Sequence, residues 1–431
     1  MSVEVNKPSI WKNFKVLIIL FVAGAFIYAL PYLKNYYYDT FAQAFNLTNT
    51  QMGSLGSIYG LLAMVSYLFG GFLADRISAR KLLSGSLIIT GISGLVLTLY
   101  PPYIVVFLIH ALWGITTILT FWPALVKAVR MLASENEQGK AFGFMESGRG
   151  ITNAIHLSLV LILFGYISSK VSDKSGLTAI IVLYSAINVI VGVLVFFKLK
   201  DNEKEVSAKF DKEAFFAVIK MPHTWIITII MFCSYSANMS FYYFTPYSTE
   251  AFGATVVFAS AISILAQYCR PVASAASGLL GDKVGSSKII SYGFILMIAG
   301  LLGVIFTPTK SSMIYILLIG CVVIYVSMYA IQGLHYSLLE EGNYSLSISG
   351  TAIGIVATLG YLPEVLCPLA AGKILDAFPG VTGYRYYFIV LTIVAIIGLV
   401  FTFIWMNMTK ERRKELIEMN NNSNENTTKV S

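Results

Sequence analysis

The strongest constraint in this sequence is the spacing of its apolar runs. Cut at charged residues and at Gly, Pro and Asn, the chain falls into twelve apolar segments. They begin near Val16, Gly53, Leu82, Tyr103, Ala141, Leu177, His223, Ala254, Ile289, Met313, Leu346 and Tyr384. A helix crosses the hydrocarbon core of a bilayer with about 20 mostly apolar residues. Lipid offers no partner for a bare N–H or C=O, so the spanning form of such segments is the α-helix. With 57% of its residues hydrophobic and 12% charged, the chain carries about half the charge usual in soluble domains. This excludes a soluble enzyme, a disordered chain and a nucleic-acid binder whose basic surface meets water. The net charge of +8 is read instead as the excess of Lys and Arg that membrane proteins keep on their cytoplasmic side.

One polar gap divides the chain. Residues 199–222 form a mixed-charge linker between a first set of six spans, 16–198, and a second, 223–408. Residues 1–15 precede the first span, and residues 409–431 form a tail that starts basic and ends in Asn/Ser-rich sequence, expected to be a disordered cytoplasmic segment. The first apolar run is followed by Tyr36, Tyr37 and Tyr38 rather than by a small-residue cleavage site, so it is read as a retained span, with the three tyrosines in the aromatic belt. With the N-terminus inside, 22 of the 30 Lys and Arg fall in inner segments. Six (Lys34, Lys170, Lys174, Lys310, Lys373, Arg385) fall outside, and Arg149 and Arg270 stay within spans. That imbalance puts both termini in the cytoplasm. The four cysteines lie in apolar runs without metal-ligand or Cys-x-x-Cys spacing, as buried free thiols do.

The two halves echo each other. After span two the chain reads Gly71-Phe-Leu-Ala-Asp75-Arg76-Ile-Ser78-Ala-Arg80-Lys81, and 207 residues later Gly278-Leu-Leu-Gly-Asp282-Lys283-Val-Gly285-Ser-Ser-Lys288. A second pair, Gly139-Lys-Ala-Phe-Gly143 and Gly350-Thr-Ala-Ile-Gly354, lies 211 residues apart. Two matches at nearly one period argue for duplicated halves. The Gly-x-x-x-Asp-[Arg/Lys] run resembles the signature of the major facilitator superfamily, with Ser78 standing where that family usually has Gly. The Phe-Gly-Phe-Met-Glu146-Ser-Gly-Arg149-Gly stretch and Gln267-Tyr-Cys resemble bacterial permeases of the YihN type, which group with nitrate/nitrite and organic-anion porters. The resemblance implies an all-α membrane fold of twelve helices in two pseudo-symmetric six-helix bundles. It also implies a conformational latch built from Gly71, Asp75, Arg76, Arg80 and Arg130, repeated at Gly278, Asp282 and Lys283, with Asp75 facing the cytoplasmic end of span eleven. The plainer reading is that the bases only enforce topology.

Charges inside spans are costly, about 2.5–3.5 kcal/mol each at a helix centre, and so mark function. Arg270 lies twelve residues before Asp282, about 18 Å deep at 1.5 Å per residue. Gln267, Arg270, Ser274 and Ser277 share one stripe of span eight, which Pro271 is expected to kink. Anion porters of the superfamily carry a substrate-binding Arg on this span; the alternative is a structural Arg paired to a neighbouring helix. Span five repeats the pattern with Glu146, Arg149, Asn153 and His156. Here Arg149 either binds substrate or pairs with Glu146 one turn away. Glu364, beside Pro363 on span eleven, has no basic neighbour on its own helix and suits a proton-coupling carboxyl; a carboxyl bonded to a Tyr hydroxyl is the alternative. His110 on span four is a second titratable candidate, or a packing histidine.

The resemblance places spans one, four, seven and ten around a central cavity, so Tyr28, Tyr32, Asn238, Tyr242, Tyr329 and Gln332 are expected to line the substrate site with Arg149, Arg270 and Gln267. The coupling candidates are Glu364, Glu146 and His110. The expected function is rocker-switch, proton-coupled movement of a small anion, with exchange or symport of a sugar-like or zwitterionic solute as alternative. The expected partners are the solute, the bilayer and a proton or other coupling ion; a monomer without cofactor, metal or nucleic acid is expected. The four scattered histidines assemble no catalytic set, and the short linker is too small to be a sensor's output domain.

Overall fold

The computed structural model describes residues 13–132, 138–200 and 212–418, and every element among them is helical. Span one is Phe14–Phe26 joined to Ala29–Tyr36 at a 42° bend. Span two is Asn49–Arg76. Spans three to six are Ala79–Leu99, Tyr103–Leu132, Lys140–Lys170 and Asp173–Lys198. Spans seven to twelve are Pro222–Phe252, Val256–Val284, Ser286–Phe306, Ser311–Glu341, Thr351–Ala377 and Val381–Met408. Ten of these are apolar enough to cross a bilayer by composition, and the bent pair makes eleven. Span two, richer in small and polar residues, is long enough at 28 residues. The chain divides into two compact units, Met1–Ala208 and Lys209–Ser431.

Local chemistry sets several helix starts. Span two begins at Asn49, ahead of its apolar run, because Thr48 and Gln51 form a reciprocal cap: Gln51 N donates to Thr48 Oγ1 (3.2 Å) and Thr48 N to Gln51 Oε1 (3.0 Å). Ser78 caps span three, its Oγ accepting from Lys81 N at 3.3 Å with extended backbone (φ −62°, ψ 140°). A glycine is unnecessary there, which accounts for the departure at this position. The matching residue of the second half, Gly285, has φ +94°, and a Cβ on it would meet Arg413 Cδ at 2.5 Å. The same motif position thus serves two different turns, and only the second requires glycine.

Three expectations change. Lys34, placed outside by sequence, lies in the last turn of the second helix of span one and is 5% exposed. Tyr36, Tyr37 and Tyr38 are buried in the bundle rather than in a belt. Tyr38 Oη bonds Asn49 Oδ1 at 2.9 Å, and Tyr37 packs on Phe164 with ring centres 4.6 Å apart. The tail does not become disordered at residue 409, since residues 410–418 are helical. There Arg413 Nη1 donates to Ser287 Oγ and to the Met406 carbonyl, both at 3.1 Å. Beside it the buried Glu341 accepts from Ser287 N and Trp405 Nε1, each at 3.0 Å, so one carboxylate ties the ends of spans nine, ten and twelve. A short helix, Lys212–Lys220, precedes span seven.

Candidate functional site

In the N-terminal unit the break in span one builds the site. A helix that stops leaves its last carbonyls without partners, and inside a membrane side chains must supply them. Arg149 Nε of span five donates to the Gly24 carbonyl at 3.2 Å, and Asn188 Nδ2 of span six donates to that of Phe26 at 3.1 Å. Gly24 is required for this approach, since a Cβ there would lie 2.9 Å from Arg149 Cδ and 3.2 Å from Leu125 Cδ2. The Arg149 guanidinium carbon sits 4.9 Å from the Trp122 ring centre and 5.9 Å from that of Tyr28. Its Nη1 bonds Glu146 Oε1 at 2.8 Å. The expected pair therefore exists, but it is not a sealed one: the Glu146 side chain is 49% exposed and that of Arg149 15%. A guanidinium has five N–H donors, and these bonds use two, leaving Nη2 and one proton of Nη1 unspent. Tyr28 leads to Tyr32 (ring centres 6.4 Å) and Tyr32 to Tyr59 (5.6 Å), whose hydroxyl bonds Thr117 Oγ1 at 3.0 Å.

In the C-terminal unit Arg270 is exposed and makes no hydrogen bond or ion pair with any described residue; its guanidinium carbon lies 5.9 Å from the Tyr329 ring centre. The alternative of a structurally paired Arg270 is not what the structure contains. Span eight continues through Pro271 as one helix, its lower stripe packed on span ten by Ser274 Oγ bonding the Tyr329 carbonyl at 3.2 Å. Span eleven is interrupted instead. Leu346–Gly360 ends, Pro363–Ala377 begins, and Glu364 falls in the first turn of the second helix. The positive pole of that helix end faces a carboxylate so placed. Tyr361, in the break, stands within electrostatic reach of both Glu364 and Arg270. Its ring centre lies 4.6 Å from that of Tyr235, and its hydroxyl 3.5 Å from Tyr336 Oη.

The structure thus gathers Arg149, Glu146, Tyr28 and Tyr32 in one unit, and Arg270, Tyr329 and Glu364 in the other, with Gln267 one turn before Arg270. Asn238 Nδ2 contacts Met328 Sδ at 3.7 Å, the Tyr242 ring lies tilted with its centre 4.0 Å from that of Phe241, and Gln332 is half-buried on span ten. His110 Nδ1 bonds the Val106 carbonyl of its own helix at 2.8 Å and the ring lies between Phe41 and Trp113, while its buried Nε2 has no hydrogen-bond partner. Of the latch residues, Arg80 lies over the Phe196 ring at 5.0 Å, while Arg76, Arg130, Asp282 and Lys283 are exposed at helix ends, and Gly278 has open space around it. The side chains at Gly71 and Asp75 lie outside the described residues. Lys127, which no sequence pattern singles out, caps span two there by donating to the Ala74 carbonyl at 2.8 Å. Trp122, Asn188 and Tyr361 likewise escape the sequence reading. A Pro follows Trp122 and one residue separates Tyr361 from Pro363, which are the local hints.

The chain matches the family model of the Major Facilitator Superfamily over residues 14–362. It is 29% identical over 416 residues to the inner membrane protein YihN of Escherichia coli K12, covering 94% of this chain and 98% of the relative. It is 27% identical over 283 residues to the probable nitrate transporter NarT of Staphylococcus haemolyticus, covering 64% and 67%. Among solved structures, the inward-facing, occupied form of a bacterial homologue of the human lysosomal transporter Spinster superposes with a TM-score of 0.80 at 14% identity, over 93% of this chain and 98% of that one.

Proposed function

For a chain that belongs to the Major Facilitator Superfamily, a multi-pass transporter of a small solute and not an enzyme, we propose that the solute is a small anion taken up with a proton. One observation carries the reading: Arg270 holds a charge deep in span eight with no carboxylate within 4 Å among the described residues. A cation kept at that depth without a partner costs about 2.5–3.5 kcal/mol by insertion scales, and an anionic cargo would supply the missing counter-charge. Arg149, with three unspent N–H donors and aromatic walls, is the matching anion-binding candidate of the N-terminal unit. The nitrate named for the NarT relative is of this chemical class. In the C-terminal unit Arg270 and Glu364 sum to zero charge, so an anion bound at Arg270 leaves that pair negative unless the carboxyl takes a proton. Glu364 is the proposed carrier. The groups would be exposed alternately to the two sides, in a bacterial inner membrane with both termini cytoplasmic, as the Lys/Arg asymmetry favours.

A zwitterionic solute is the second reading, favoured by the exposed Glu146 carboxylate 2.8 Å from Arg149. The test is a thermal-shift screen of detergent-purified protein with nitrate, sulfonates, carboxylates and sugar acids against neutral sugars and amino acids. A ligand of the folded state adds about 2.7 kcal/mol at a hundredfold excess over Kd. A shift with one anion class supports the proposal; shifts only with amino acids or sugars replace it. Gly24→Ala then checks the Arg149 anchor. The added methyl displaces the guanidinium, so the half-saturating concentration of the active anion is expected to rise roughly tenfold, equivalent to ~1.4 kcal/mol. An unchanged value removes Arg149 from the site.

A further inference from the structure

Lys34 is the buried charge that the transport reading leaves unused. It is 5% exposed, and its ammonium spends one of three N–H donors, on Asn35 Oδ1 at 2.9 Å. No ion pair is seen between it and a carboxylate among the described residues. Its charge acts on His110, a base that cannot neutralise it. The dipole of the helix it ends offsets part of the charge, yet an ammonium withdrawn from water without a counter-ion still carries a desolvation cost of several kcal/mol.

Two further polar groups of the segment share the same condition. Tyr37 Oη and Thr40 Oγ1, three and six residues on, are buried (2% and 4% exposed) and have no hydrogen-bond partner. Buried hydroxyls are otherwise almost always bonded. Nearby, Tyr38 Oη bonds Asn49 Oδ1, so this segment holds a satisfied hydroxyl beside the two unsatisfied ones. All three unspent groups can donate, and an anion accepts from a lysine and two hydroxyls together while also neutralising the lysine. The short helix Tyr38–Phe45 carries Phe41 and Phe45, stacked at 4.5 Å, beside these groups in sequence, and Phe41 packs edge-on to His110.

We propose that Lys34, Tyr37 and Thr40 form a buried anion site in the N-terminal unit, separate from Arg149 and Arg270, that takes one small monovalent anion of the size of chloride or nitrate. The site neutralises Lys34 and locks the turn between span one and the Tyr38–Phe45 helix. It stands whether or not the transported solute is an anion.

The experiment titrates chloride and nitrate against gluconate at constant ionic strength and reads the melting temperature of the full-length protein. Wild type, Lys34→Met, Tyr37→Phe and the Arg149→Ala/Arg270→Ala double variant are compared. A saturable rise in wild type that persists in the double variant and vanishes in Lys34→Met is expected. Tyr37→Phe is expected to raise the half-saturating concentration about three- to tenfold. No saturable rise in wild type overturns the proposal, as does a rise that survives Lys34→Met or vanishes in the double variant. Should Lys34→Met not fold, an unchanged Tyr37→Phe titration overturns it equally.

Discussion

Arg270→Ala is expected to abolish the stabilisation that the active anion confers, while leaving the unliganded protein folded and no less stable. The two halves of that expectation have one cause. Arg270 makes no hydrogen bond and no ion pair with a described residue, so its removal orphans nothing in the protein and withdraws a charge that is costly at that depth. What it removes is a charge-assisted contact to the cargo, worth about 1.5–3 kcal/mol for one bond and more for a bidentate fork. Affinity should fall at least roughly tenfold to a hundredfold. Arg270→Lys keeps the charge but loses the fork and the flat face turned to Tyr329, so it should recover only part of the loss. Equal anion affinity in wild type and Arg270→Ala, measured by the same thermal titration, would falsify the site.

Glu364→Gln should uncouple transport from the proton gradient: uptake into proteoliposomes no longer rises with an imposed pH difference, while counterflow of preloaded anion continues. The geometry separates these two readouts. Glu364 lies in the first turn of Pro363–Ala377, and an amide in place of its carboxyl would keep the hydrogen-bonding shape without a proton to gain or lose. Tyr361, within electrostatic reach of both Glu364 and Arg270, offers the route by which a bound anion and the carboxyl feel each other. Tyr361→Phe is a useful companion, since it should weaken coupling without abolishing it. If a proton gradient still drives full accumulation in Glu364→Gln, the coupling group lies elsewhere, and Glu146 is the next to test.

Much of this is legible in the chain itself. Hydropathy is a local property that adds along the sequence, so twelve runs long enough for lipid announce twelve spans whatever they pack against. The repeated Gly-x-x-x-Asp motif announces two related halves for the same reason, because each copy is written in contiguous residues. Arg149, Arg270 and Glu364 stand out because a charge inside an apolar run is rare and expensive. Even the Glu146–Arg149 bond follows from a spacing of three on one helix.

What tertiary structure decided concerns residues whose partners lie on other helices. Trp122 and Gly24 become part of a site only because spans one, four and five meet around Arg149. Asn188 matters because a break in span one, invisible to hydropathy, bares the Phe26 carbonyl. The break in span eleven, not the span's length, puts Glu364 at a helix end. His110 is a candidate by residue type, and the fold alone sets its ring against Phe41 and Trp113 with Nδ1 on the Val106 carbonyl. Lys34 counts with the outer charges in sequence because it follows an apolar run; the fold buries it, since the helix after it turns back onto the bundle. Sequence alone determined where the chain crosses the membrane, because that depends on the solvent each segment prefers. Which charges are paired and which are left for a ligand depends on what stands opposite each donor, and only the packed helices decide that.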